Sequence, residues 1–223
     1  MPSEEHVDAL PVFRSVMGQV LALLEPLSRA SLTAIRRRIL PKDGANVESV
    51  ICPLGALLTG IMDDRTPIKP LHASFYDFLT DRSRSGELFV GESTTHHQNL
   101  AFASLRVMKD ELRFNICDLE SSYLPNSAVT DLEERINRSI SPELQYSCRF
   151  WTFHVNAARF ERSLATEIEC FLTNDRVLFY LEVLSLTQAL IGTTWALSSI
   201  IPWFKVRSFY DLPAMEDNAV VTG

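Results

Sequence analysis

Apolar residues recur at intervals of three and four along most of this chain, the spacing that buries one stripe of an α-helix. The first stripe, residues 13–27, predicts a helix that Pro26 ends. Ser28 or Ser31 then caps a second, short helix over residues 32–40. The pattern therefore begins with a helix, a turn and a helix.

A third helix and a hairpin are predicted next. Asn46 follows the turn Pro41-Lys42-Asp43-Gly44 and is a candidate cap for a helix that must be short, because Pro53 has no amide proton to continue it. Two apolar stretches, residues 55–61 and 67–71, then flank the polar turn Asp63-Asp64-Arg65-Thr66 and predict a β-hairpin. Three helices followed by a hairpin is the order of a winged-helix domain.

Helical spacing returns in the second half of the chain. Phe102, Leu105, Met108 and Leu112 form a stripe after the possible cap Ser93. Residues 113–126 are irregular, and further helices are predicted at Thr130 to Ile140, Pro142 to Ala157, and Phe160 to Leu172. This half is predicted to be an all-α helical array.

Together these patterns predict a mainly α fold with four parts. They are an N-terminal tail (1–9), a winged-helix domain of three helices plus a β-hairpin (10–81), a helical domain (82–190), and a divergent apolar segment with a disordered tail from Asp211 (191–223).

The apolar segment is long enough to raise the question of a membrane. Residues 183–204 carry no charge and precede Lys205 and Arg207, so length alone permits a span. Many Ser, Thr and Gln side chains, Gly192 and Pro202 are more typical of a buried helix and its loop. We expect no span, and a membrane-anchored helical protein stays an alternative.

Composition narrows the compartment and the partners. The 21 Lys and Arg against 28 Asp and Glu give a formal charge of −7, which disfavours nucleic acid as a partner. The four cysteines show no CxxC spacing, and the N-terminus lacks a secretory pattern. A cytoplasmic protein with reduced thiols is expected.

One basic run keeps a DNA-binding alternative open. Arg36, Arg37 and Arg38 are expected on an exposed helix face, where they would contact phosphates. The third helix, which would enter the groove, offers only Glu48 and Ser49 as polar groups, and base readout needs Arg, Lys, Asn or Gln there. A solvated face or a docking surface for a neighbouring domain is favoured.

No catalytic or metal-ligating residue is predicted. His96 and His97 are adjacent, so on a helix they point about 100° apart and cannot chelate one ion together. Cys148 and His154 are six apart, which does not fit a metal pair on one helix face. No GxSxG run or reactive-cysteine signature is present, so a hydrolase is a weak third hypothesis.

One motif resembles a known family. Residues 67–81 read PIKPLHASFYDFLTD, which is similar to a hallmark of the fungal NACHT-type signalling ATPases, where it closes the winged-helix domain. The similarity extends over about residues 10 to 189, through the segments VLALLEPLS (20–28), VESVICPL (47–54), FNICDLESSYL (114–124), YSCRFW (146–151) and LEVLSL (181–186).

The resemblance implies a regulatory role centred on one histidine. In that family a histidine at the end of the hairpin contacts the β-phosphate of bound ADP, and the matching residue is His72. The alternative is that His72 only caps the next helix; Ser74 is a second candidate cap, with Asp77 expected in the first turn.

The resemblance also implies what this chain needs from elsewhere. It has no GxxxxGK[ST] run and no blade-like repeat, so we expect a fragment that is not an enzyme by itself. ADP or ATP would bind with a nucleotide-binding core outside this sequence. The expected partners are that core and the WD40 repeats of the parent protein. The parent protein is also expected to form an oligomer.

Overall fold

The protein is mainly α-helical in a computed structural model that describes residues 4–40, 47–121 and 123–210. The predicted turn at 41–44, the candidate cap Asn46 and the tail from Asp211 lie outside these residues.

Twelve α-helices are described, with short 3-10 turns at Cys52–Leu54, Gly86–Leu88 and Asn126–Ala128. The helices are α1 (Glu4–Ala22), α2 (Arg29–Arg37), α3 (Val47–Ile51), α4 (Ala73–Thr80), α5 (Arg82–Ser85), α6 (Ser93–Glu111), α7 (Leu132–Ser139), α8 (Pro142–Ala157), α9 (Arg162–Leu172), α10 (Arg176–Leu186), α11 (Thr193–Ser199) and α12 (Ile201–Tyr210).

The first two helices differ from the sequence pattern at their ends. Helix α1 begins at Glu4, inside the range assigned to an N-terminal tail, and ends at Ala22, before Pro26 is reached. Helix α2 begins at Arg29 because Ser28 is its cap, accepting the Ser31 amide at 3.3 Å. The side chain of Ser28 thus satisfies one of the free amides of the first turn.

The hairpin consists of two very short strands, β1 (Leu58–Thr59) and β2 (Lys69–Pro70), which pair antiparallel with Leu58 opposite Pro70. Asp63 closes the connection, because its carboxylate accepts the amides of Arg65 at 2.7 Å and Thr66 at 2.6 Å. An isolated bridge joins Ser28 to Pro67 and ties the hairpin to the start of α2.

Two apolar cores result. The N-terminal core lies between α1, α2, α3, the hairpin and α4, and its fully buried members include Val16, Met17, Leu32, Ile51 and Leu79. The array core is larger and is built mainly by α6, α8, α9 and α10 around Trp151, whose indole ring is 0% exposed. Phe171 and Tyr180 meet Trp151 edge-on, at centroid distances of 5.6 and 6.5 Å.

Helix α6 connects the two cores. It packs along α8 and α9 on one side and against α1 and α2 on the other. Its buried positions run almost around the helix, and several of them are small: Ala101, Ala103 and Ser104 join Leu100, Leu105, Val107 and Met108. Small side chains let neighbouring backbones approach closely, so α6 can be enclosed without overpacking.

The uncharged segment 183–204 contains the end of α10, all of α11 and the start of α12. Gly192, at φ 91°, makes the left-handed turn before α11, a conformation that costs glycine little. Ile200 and Trp203 are buried in the array core, and the Trp203 indole donates to the Ala158 carbonyl at 3.1 Å. Within the described residues, no helix is both long and apolar enough to cross a bilayer.

We expect Gly18→Ala to lower the free energy of unfolding by about 1–3 kcal/mol, the usual cost of overpacking. A methyl group at Gly18 would overlap the imidazole ring of His96, which α6 holds against α1. Urea unfolding followed by circular dichroism measures the change.

Gly55→Ala is the matched control, because its methyl group would meet only the movable end of the Ile61 side chain. Its free energy of unfolding should stay within about 1 kcal/mol of the wild type. Equal losses in both variants would contradict the close approach of α1 to His96.

Candidate functional site

His72 lies on the surface, at the step from the hairpin into α4. It is the N-cap of that helix: its backbone is extended, and its ring Nδ1 accepts the Ser74 amide at 3.1 Å. The Ser74 hydroxyl is also within 2.8 Å of Nδ1. Of the two residues that the sequence offers as a cap, His72 therefore makes the capping contact, and Ser74 is already the second residue of the helix.

The cap contact determines which ring nitrogen of His72 carries the proton. A nitrogen that accepts an amide N–H must present its lone pair, so the neutral ring is protonated at Nε2. His72 is exposed, so this N–H is open to a hydrogen-bond acceptor from outside the described residues.

The first turn of α4 has no acidic residue, because Asp77 is the fifth residue of the helix and not part of that turn. The expectation that Asp77 offsets the helix dipole was therefore wrong. The positive end of α4 is left beside the His72 ring, which favours a negatively charged group there.

The interpretation of the arginine run as one exposed face is also wrong. Arg36 is 0% exposed and points at α1, where its guanidinium donates to Gln19 Oε1 at 2.6 Å and to Ser15 Oγ at 3.2 Å. Arg38 forms ion pairs with Asp110 at 2.6 Å and Glu111 at 2.8 Å on α6. Arg37 is the exposed member, so the run holds α2 in place and does not form a basic patch.

Residues that the sequence pattern sets aside as ordinary form a hydrogen-bonded chain at the junction of the two cores. The Leu24 amide, just after α1, donates to the Tyr146 hydroxyl on α8 at 3.3 Å. That hydroxyl lies 2.8 Å from His154 Nε2, and His154 Nδ1 lies 2.8 Å from His97 Nδ1 on α6. We call Leu24, Tyr146, His154 and His97 the junction chain.

The junction chain has a definite donor direction. The Tyr146 oxygen accepts from Leu24, and in the described residues His154 Nε2 is its hydrogen-bonded acceptor, so the hydroxyl donates there. His154 must then carry its proton on Nδ1 and donate it to His97 Nδ1. His97 is left with its proton on Nε2.

Burial keeps these imidazoles neutral. Burial, with the neighbouring His97 as a second and smaller cause, lowers the pKa of His154 to about 3. Burial is also the main cause of the lowered pKa of His97, with His96 as a second cause. Burial raises the pKa of the Tyr146 hydroxyl as well, so that it stays protonated.

His96 supports the same junction from the other face of α6. Its Nε2 lies 2.6 Å from the Val90 carbonyl, to which it donates, and its ring packs against Gly18 of α1. Burial lowers its pKa more than the Val90 contact raises it, and the nearby Arg36 charge lowers it further. His96 and His97 thus point to different neighbours, as their adjacency predicts.

A cavity of about 180 Å³ lies beside the junction chain, between the end of α1, α4 and the start of α6. Among the described residues, its polar lining consists of Tyr76, Thr80, Ser93, His96 and His97, without a carboxylate or ammonium group.

The described residues contain no group of three or more His, Cys, Asp and Glu arranged to hold a metal ion. The four cysteines are free thiols: Cys52 and Cys170 are exposed, and Cys117 and Cys148 are buried. Burial raises the pKa of the Cys148 thiol, which makes it a poor nucleophile.

Searches against protein-family models, curated proteins and solved structures found no significant match to this chain.

The donor direction can be tested by ¹⁵N chemical shifts of the imidazoles at pH 7.5. We expect His154 to carry its proton on Nδ1 and His97 on Nε2, because Tyr146 donates to His154. Tyr146→Phe, which removes that donor, is the matched variant and should change the shifts of His154 most. A wild-type His154 protonated at Nε2 would contradict the direction.

Proposed function

We propose that this chain is the regulatory segment of a NACHT-type signalling ATPase. In this proposal residues 10–81 form a winged-helix domain that senses the nucleotide state through His72. Residues 82–190 form the helical domain that relays the domain movement. The observation that carries the proposal is the His72 ring, which is exposed, has its Nδ1 held by the Ser74 amide and thereby presents an N–H on Nε2.

The surroundings of His72 suit a phosphate oxygen. An imidazole N–H donates to such an oxygen, and the amides at the start of α4 add a partial positive charge. The ring needs no rearrangement to bind, since its cap contact already fixes the tautomer and the orientation. Losing a ligand there would leave the cap intact, so the helix would not unfold when the domains separate.

The contacts between the two cores support the relay. Arg38, just after α2, is ion-paired to Asp110 and Glu111 of α6, and the Arg106 guanidinium of α6 donates to the Arg38 carbonyl at 3.1 Å. A displacement of the N-terminal core would act on α6 through these contacts, and α6 packs against α8 and α9 of the array.

The proposal assigns no catalysis to this chain. ADP or ATP would be bound by the nucleotide-binding core of the parent protein, with WD40 repeats and an oligomer as further expected partners, in the cytoplasm.

Purified chain given ATP should show no turnover. Complementary DNA read upstream of this sequence should encode a P-loop; steady hydrolysis by the chain alone, or a transcript without a P-loop, would overturn the proposal.

In the protein that includes the nucleotide-binding core, we expect His72→Ser to weaken ADP binding about tenfold or more, which equals the loss of one hydrogen bond to a charged group. Serine keeps an N-cap oxygen for the Ser74 amide, so the thermal midpoint should hardly change. Release of a fluorescent ADP analogue measures the binding.

Ser74→Ala is the control, because it removes the hydroxyl at Nδ1 and leaves the imidazole in place. Its ADP release rate should resemble that of the wild type. Unchanged ADP release from His72→Ser would show that His72 has only the capping role.

A further inference from the structure

The geometry points to an acid-sensitive latch: the junction chain fastens the Leu24 amide to the helical array while its two histidines are neutral, and uptake of a proton breaks that contact. This inference goes beyond nucleotide sensing and does not depend on it.

The effect of acid follows from the number of protons that the junction chain holds. Each link has one donor: the Leu24 amide donates to Tyr146, Tyr146 to His154, and His154 to His97. A proton added to His97 goes to Nδ1, the nitrogen that accepts from His154. Two N–H groups would then face each other across 2.8 Å, which is repulsive.

Reversing the direction of donation does not restore a complete set of hydrogen bonds in the junction chain. His154 could accept from the protonated His97 only by moving its own proton to Nε2, where it would donate to the Tyr146 oxygen. The Tyr146 hydroxyl proton would then lose its acceptor in a site where this side chain is only 3% exposed. A buried hydroxyl without an acceptor is costly, so the added proton breaks the link between His154 and His97 instead. The Tyr146 hydroxyl then loses the fixed acceptor that aims its oxygen lone pair at the Leu24 amide.

The chain crosses the boundary between the two cores, which gives its breaking a structural consequence. Leu24 belongs to the segment that joins α1 to α2, whereas Tyr146 and His154 belong to α8 and His97 to α6. The Leu24 amide is therefore a point where the N-terminal core is fastened to the array by a directional contact. Loss of that contact loosens the segment after α1 at Leu24, while the ion pair between Glu25 and Arg149 remains.

Charged groups from several neighbouring elements lie near the junction chain. Arg36 from α2 and His96 on α6 disfavour a further positive charge, whereas Glu25, which follows α1, favours one and is held by Arg149 of α8 at 2.7 Å. Nearby carboxylates at the start of α6 and α9 have their own partners: Glu92 pairs with Arg159 and Glu161 accepts from Gln98. Tyr76 from α4 lines the adjoining cavity.

The sign of the pH dependence follows from burial. Burial in the folded protein lowers the pKa of His97 and His154, so the closed junction binds fewer protons than the open one. Stability of the junction is complete above the unfolded histidine pKa of about 6.5. It is lost as the pH falls below that value, and for His154 the loss continues down to about pH 3.

Hydrogen exchange of the Leu24 amide, corrected for the intrinsic exchange rate, tests the latch in the whole chain. From pH 7.5 to 5.5 we expect the opening equilibrium of this amide to rise about tenfold or more, since each histidine with an open-state pKa of about 6.5 contributes about tenfold. The Ile68 amide, which donates to the Leu27 carbonyl at 2.9 Å close by, should change far less.

Two variants separate the latch from general acid unfolding. His97→Gln offers His154 a neutral acceptor that cannot titrate, so the acid response of Leu24 should be about tenfold smaller than in the wild type. His72→Gln removes a surface histidine outside the chain and should leave the wild-type response intact. The latch is overturned if wild-type Leu24 does not respond to acid, if Leu24 and Ile68 respond equally, or if His97→Gln responds like the wild type.

Discussion

The enclosure of α6 is the constraint on which the rest of the structure depends. This helix is buried on nearly every side, because the N-terminal core packs on one flank and α8 and α9 on the other. Such a helix needs small residues where neighbours come close and polar partners where a polar side chain is unavoidable. Ala101 and Ala103 meet the first need, and the contacts of His96 and His97 meet the second.

The two cores and the junction between them are stabilised by different physics. Inside each core the contacts are apolar and tolerate small shifts, since dispersion and the hydrophobic effect have no preferred direction. Across the junction Arg38 and the junction chain use ion pairs and hydrogen bonds, which fix both distance and angle. A junction of this kind holds one arrangement firmly and loses it abruptly when a single proton or partner changes.

The sequence predicts the elements well where local signals are complete. Helix α8 spans the predicted Pro142–Ala157, because Ser141 caps it and Pro142 suits its first position. Arg36 was misplaced because a run of arginines resembles a surface, and its partners on α1 are too distant in sequence to show. His154, within an apolar stretch, signals a buried polar contact, but only the fold identifies Tyr146 and His97 as its neighbours. The family resemblance identifies His72 as a candidate, and its position just before a helix indicates the capping contact.

Trp203 has a consequence for how the protein is made. Its ring packs on Phe160 and its indole bonds to Ala158, so a residue near the end of the described chain completes the environment of the turn between α8 and α9. During synthesis, α6, α8 and α9 emerge from the ribosome long before this side chain does. Part of the apolar surface of the array therefore stays uncovered until residue 203 has cleared the exit tunnel.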